Sequence, residues 1–192
     1  TGTGVRGMDV EAFLEALKAR PSYGGQQVHR EDIPARTATY AEPESPLDPR
    51  LQRSLEASGI SSLYSHQATA VDACRRGENV IVSTPSASGK SLCYHLPLID
   101  ALLNERGSRA LYLFPTKALT QDQARAIEGL VPEGSRIRHD IFDGDTPPHE
   151  RSDVRRNGRF ILTNPDMLHL GILPNHRSWH QFLRSLRYVV ID

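Results

Sequence analysis

"VIVSTPSASGKSLCYHLP", residues 80–97, decides how the rest of the chain is read. Three apolar residues run into a short polar turn, and Gly-Lys-Ser then opens a helical pattern. A strand, a tight turn and a helix start in that order make an anion site, because free backbone N–H groups and the helix dipole converge on the turn. The amides from Ala87 to Ser91 are expected to form the nest, within a turn running Thr84, Ser86, Ala87, Ser88, Gly89. Lys90 would reach the β- and γ-phosphates of a nucleotide, and the Ser91 hydroxyl would ligate Mg2+. The match to the common phosphate-loop pattern is imperfect: Thr84 stands where that pattern has its first glycine, and Ala87 replaces another. The plainer reading is a surface helix start, with Lys90 in solvent and Ser91 as a cap.

Outward from this turn the pattern is regular. "NVIVST", "RALYLFPT", "RIRHDIF", "RFILTN" and "RYVVID" read as short buried strands, separated by helical stretches such as "KALTQDQARAIEGLV" and "HERSDVRRN". Strands apolar on both faces, joined by crossover helices, predict an α/β fold with a mostly parallel central sheet flanked by helices. Crossovers of one hand gather every strand's carboxyl end on one rim. That rim carries "TPSASGKS", "PTKAL", "DGDT", "TNPD" and "ID". Asp192, closing an apolar strand, is placed to be a second metal ligand opposite Ser91. Thr116, Lys117 and Thr163 bring hydroxyls and a cation near helix starts, suited to the phosphates of a nucleic-acid strand. Gly144 permits close approach of such a strand, and Asn164 adds an amide.

Residues 1–59 read differently, as an N-terminal helix, "DVEAFLEALKAR", and a proline-rich arm. The arm carries Pro21, Pro34, Pro43, Pro46 and Pro49, and is either an extended lead-in or a disordered linker. The lobe proper is expected over 60–192. Lys+Arg and Asp+Glu are both 23, so the net charge is zero. That argues against a polybasic coat protein while allowing a local positive groove. Cys74 and Cys93 make no metal-ligand spacing and read as reduced and buried, which points to an intracellular protein. No apolar run approaches ~18 residues, so no membrane span is expected.

In this order and at these spacings, the motifs resemble the first RecA-like motor lobe of superfamily 2 helicases of the DEAD/H-box kind, over roughly residues 60–192. "LYSHQ" resembles the adenine-recognising Q-type motif, which implies that Gln67 reads the adenine edge, with Tyr64 beside it. "TPSASGKS" resembles motif I, which in this superfamily often opens on a residue other than glycine. "PTKALTQDQ", "DGDT" and "TNPDML" resemble motifs Ia and Ib and the Thr-Pro-Gly-type motif. "VVID" resembles motif II, one residue into its acidic box, and implies a glutamate after Asp192. "YGGQQVHREDIPAR", "LYSHQ" and "ASGKSLCYHLPLIDALL" together are similar to the Hrq/MrfA-like branch of DNA helicases. The resemblance implies ATP and Mg2+ as cofactors, Lys90 and Asp192 as catalytic residues, and a second RecA-like lobe. It also implies 3′-to-5′ movement on single-stranded nucleic acid, DNA before RNA, in genome repair. The location expected is the cytoplasm, on the nucleoid in a bacterium. An RNA helicase lobe, another P-loop NTPase and an inactive binding module are the alternatives. The 192 residues are expected to bind nucleotide weakly and hydrolyse it negligibly, since the water-polarising base and the arginine fingers would come from elsewhere.

Overall fold

The computed structural model describes residues 9–31, 37–84 and 88–192. The chain forms two compact units, Thr1–Thr37 and Ala38–Asp192. The first contains helix α1 (Val10–Lys18), started by Asp9, whose carboxylate accepts the Ala12 N–H at 3.1 Å. None of its residues is buried.

The second unit opens with an extended lead-in. Tyr40 bridges Tyr64 in antiparallel sense, and the Ser65 N–H donates to the Thr39 carbonyl at 2.9 Å. Leu47 is buried, and Asp48 starts helix α2 (Pro49–Ala57) while its own N–H donates to Asp100 at 2.7 Å. Arg75 ion-pairs with the same Asp100 and donates to the carbonyls of Ser45 and Pro46. The lead-in is thereby fixed to the lobe from residue 38 onward.

Then follow α3 (Ser65–Arg75), α4 (Lys90–Asn104), β1 (Arg109–Leu113), α5 (Lys117–Leu130), β2 (His139–Ile141), α6 (Pro148–Asn157) and β3 (Phe160–Thr163). A short α7 (Pro165–Met167) runs into a π-helical turn, Leu168–Ile172, before α8 (His180–Arg184) and β4 (Leu186–Ile191). Pro97 lies inside α4 without ending it. The sheet order is β2-β3-β1-β4, and every pairing is parallel. All residues of β1 and β3 are buried, as central parallel strands require.

Alternation along the strands divides the core in two. Ala110, Tyr112, Phe160 and Leu162 pack with Leu51, Val71, Leu96, Ile99 and Ile127 from α2, α3, α4 and α5. Leu111, Leu113 and Ile161 pack on the other side with Val154, Ile172, Trp179 and Phe182. Because the strands are parallel, their carboxyl ends share one edge, and that edge leads into Phe114–Lys117, the Asp143–Thr146 loop, Asn164 and Asp192.

One expected strand is not formed. Among the described residues, 79–84 join no strand, and Ile81 is 96% exposed. A strand exists only through hydrogen bonds to a neighbour, and an apolar run does not say whether a neighbour is there. The nearest candidate, β4, pairs with β1 along one edge only. Its other edge borders a cleft of about 310 Å³ whose walls include Val80, Val82, Val189 and Ile191.

Candidate nucleotide site

The turn before α4 is built on Gly89, at φ 75° and ψ 28°, a left-handed conformation suited to glycine. A Cβ there would also stand 2.6 Å from the Gln67 side-chain nitrogen. Gln67 donates from Nε2 to the Gly89 carbonyl at 2.9 Å, and its Oε1 accepts the Tyr64 N–H at 2.9 Å. The second bond closes the start of α3 in the manner of a capping box. His66 contacts the Ser88 carbonyl through Nε2 at 3.0 Å. Two consecutive α3 side chains therefore grip two consecutive turn residues.

Within the turn, the Thr84 and Ser88 hydroxyls meet at 2.5 Å, and Lys90 Nζ donates to the Thr84 carbonyl at 2.9 Å. Lys90 thus spans the turn from its end to its beginning. Ser86 and Ala87 lie outside the described residues. The Tyr64 ring stacks on Tyr40 at 5.3 Å and on His66 at 5.6 Å. Tyr40, which sequence reading did not single out, is the exposed member of that stack.

Across from the turn, the Asp192 N–H donates to the Leu113 carbonyl at 3.2 Å, which sets this residue beside the end of β1. Its carboxylate accepts the Tyr94 hydroxyl at 2.8 Å. The Ser91 side chain, one turn back on α4, lies beside the same hydroxyl and favours its ionised form. Ser91 and Asp192, expected as the metal ligands, therefore both lie beside one side chain. Both offer oxygen, which suits Mg2+. Among the described residues no group of three or more His, Cys, Asp or Glu side chains could hold a metal. A hard cation here would thus depend on phosphate and water for its remaining ligands.

Behind Tyr94 lies a polar chain that sequence reading missed. His95 is fully buried, with Nε2 2.8 Å from Gln123 Oε1 and Nδ1 3.4 Å from the Tyr112 hydroxyl. Burial pushes its pKa down to about 4, so the ring is neutral. Burial likewise raises the Tyr94 hydroxyl far above its ordinary range. The available signal was spacing alone: Tyr94 follows Lys90 and Ser91 by four and three residues, on one helix face.

The other rim residues separate into two groups. Thr116 caps α5 by accepting the Leu119 N–H, and Lys117 is exposed and ion-paired with Asp145. That partner raises the lysine pKa. The Asp143–Thr146 loop is braced from within, because Asp143 accepts the N–H groups of Asp145 and Thr146. Gly144 sits at its exposed tip, where an added Cβ would meet nothing. Thr163 instead lies under the rim, 1% exposed, with its hydroxyl donating to the Phe142 carbonyl at 2.6 Å. Asn164 caps α7 through the Met167 N–H at 2.8 Å.

The sequence pattern of DEAD/DEAH box helicases matches residues 64–192. The chain belongs to that helicase family. The ATP-dependent helicase HRQ1 of Saccharomyces cerevisiae is 45% identical over 186 residues, covering 95% of this chain and 17% of the relative. A crystal structure of the helicase MrfA bound to DNA and AMPPNP matches with a TM-score of 0.78 and 43% identity, over 83% of this chain and 23% of that one. The helicase Lhr of Mycobacterium smegmatis, bound to single-stranded DNA and AMP-PNP, matches with a TM-score of 0.65 and 29% identity, over 79% and 21%. The fold is thus the RecA-like lobe of a helicase similar to the Hrq/MrfA-type proteins, as the motif order implied. This chain spans less than a quarter of the length of each of these relatives. Among the described residues, no helix is long and apolar enough to cross a membrane.

Proposed function

We propose that this lobe binds ATP with Mg2+ and is the first half of a motor that moves 3′-to-5′ along single-stranded DNA in genome repair. The reading rests on one observation: Lys90 on the turn, Tyr94 and Asp192 converge on one cleft at the strand-end rim, with Ser91 next to Lys90 at the start of α4. In this reading the amides of the turn and Lys90 hold the phosphates, Lys90 exchanging the Thr84 carbonyl for a phosphate oxygen. A cation held by Ser91 and Asp192 offsets phosphate charge. Gln67 keeps the turn in place through Gly89, and its amide has one N–H and one lone pair left for an adenine edge. The Tyr40–Tyr64 stack supplies the aromatic wall beside it.

Thr116, Lys117, Gly144, Thr163 and Asn164 belong to the rim that follows the DNA strand. Thr163 contributes from below by holding the Phe142 carbonyl, while Lys117 and Gly144 face the strand. None reads a base, which suits movement over any sequence. The preference for DNA is supported by the relatives solved with DNA bound. A second RecA-like lobe completes the ATP site, and the protein works in the cytoplasm, on the nucleoid in a bacterium.

The test compares ATP turnover by the full-length protein with single-stranded DNA, with RNA and with neither. Stimulation by DNA well above that by RNA is expected, and the reverse order would make this an RNA motor. The 192-residue chain alone should turn over ATP negligibly; turnover equal to that of the full-length protein would show that the second lobe is not needed.

A further inference from the structure

The hydroxyl of Tyr94 has one proton and two acceptors in reach: Asp192 Oδ2 at 2.8 Å and Gln123 Oε1 at 3.3 Å. The shorter bond, to a charged carboxylate, takes the proton. Gln123 Oε1 is filled from the other side by His95, 2.8 Å away. A neutral His95 that donates from Nε2 leaves Nδ1 to accept from the Tyr112 hydroxyl, so the tautomer follows from the chain of bonds. The ring of Tyr94 is held as well, edge-on to His95 at 4.6 Å and to Tyr112 at 5.9 Å. Its hydroxyl therefore stays at one point, bonded to Asp192 and beside Ser91.

We propose that Tyr94 is a positioning residue that presets Asp192 beside Ser91 for a divalent cation, with the His95 and Tyr112 rings holding its own ring in place. This deepens the nucleotide reading above and rests on it. Two oxygen ligands from elements far apart in sequence otherwise have to be brought together when the cation arrives. Here one half-buried phenol lies against both beforehand, and preorganisation of that kind appears as tighter cation-dependent binding. Gln123 sits on α5, the helix that Thr116 and Lys117 begin. The close approach of Gln123 Oε1 to the Tyr94 oxygen, 3.3 Å, thus sets the element carrying the DNA rim beside the cation site.

The test uses the full-length protein and a fluorescent ADP analogue, with dissociation constants measured in Mg2+ and in EDTA. The ratio of the two is the cation-dependent gain. Tyr94→Phe keeps the ring packing and removes only the hydroxyl. We expect its EDTA affinity to stay within about twofold and its Mg2+ gain to fall roughly tenfold, the size of one hydrogen bond to a charged group. In an Asp192→Asn background, where the carboxylate is gone, Tyr94→Phe should lower the gain no further. Gln123→Glu sets a competing carboxylate beside the hydroxyl and should lower the gain with Tyr94 intact. An unchanged gain in Tyr94→Phe, an equal loss in EDTA, or an undiminished effect beside Asp192→Asn would each overturn the proposal. A wild-type protein whose ADP affinity ignores Mg2+ would instead remove the nucleotide reading itself.

Discussion

At Gly89 two constraints coincide: a left-handed backbone, and a side-chain nitrogen 2.6 Å from where a Cβ would be. Gly89→Ala must strain the turn or push Gln67 off the Gly89 carbonyl, at a cost of about 1–2 kcal/mol. Nucleotide affinity should fall roughly tenfold with α4 intact, read by a nucleotide titration beside circular dichroism. His95 carries a different prediction. Its folded pKa of about 4 lies below the ordinary histidine value, so the unfolded chain takes up a proton that the folded chain refuses. Stability is full above about pH 6.5 and falls as the pH drops towards 4, by about 3 kcal/mol in total. Urea unfolding between pH 7.5 and 4.5 should show this loss, and His95→Gln should flatten that part of the profile. A wild-type curve as flat as the variant's would mean that His95 titrates normally.

Between elements, the rim loops after β1 and β2 are tied together by Lys117 and Asp145. Both side chains are exposed, so the pair adds little to stability. Its consequence concerns binding: a DNA phosphate has to compete with Asp145 for the lysine. Asp145→Asn should tighten single-stranded DNA binding, while Lys117→Ala should weaken it and make the salt dependence shallower by about one phosphate contact. Affinity measured across a salt series in the full-length protein separates these outcomes. Equal slopes for wild type and Lys117→Ala would take Lys117 off the DNA path. The sequence marked both loops as rim material through strand order, yet it carried no sign of their ion pair. Residues 28 positions apart meet only because β3 lies between β1 and β2 and sets the spacing of their ends.

On the scale of the lobe, β4 pairs along one edge only among the described residues, and Val189 and Ile191 are 54% and 80% exposed. With Val80 and Val82 across the cleft, this makes an apolar border beside a strand edge without a partner among the described residues, the kind of edge that joins copies together. The 192-residue chain should self-associate as its concentration rises, and Val189→Lys should suppress this without lowering the melting temperature. Sedimentation at several concentrations is the check; a wild-type chain that stays monomeric throughout would show the edge to be harmless. The same edge marks where local pattern stopped being informative. Gly-Lys-Ser after an apolar run, the strand–helix alternation and Asp192 at a strand end are short-range features, and short-range sterics and helix-start chemistry govern them. They were therefore readable from residue types: the parallel α/β lobe, the helix start at Lys90 and the rim of strand ends. Strand status for 79–84, the burial of Thr163 and the Asp192–Tyr94–Gln123–His95 chain were not. Each depends on which partner lies across space, and hydrogen bonds between distant segments come into being only when packing sets the distance.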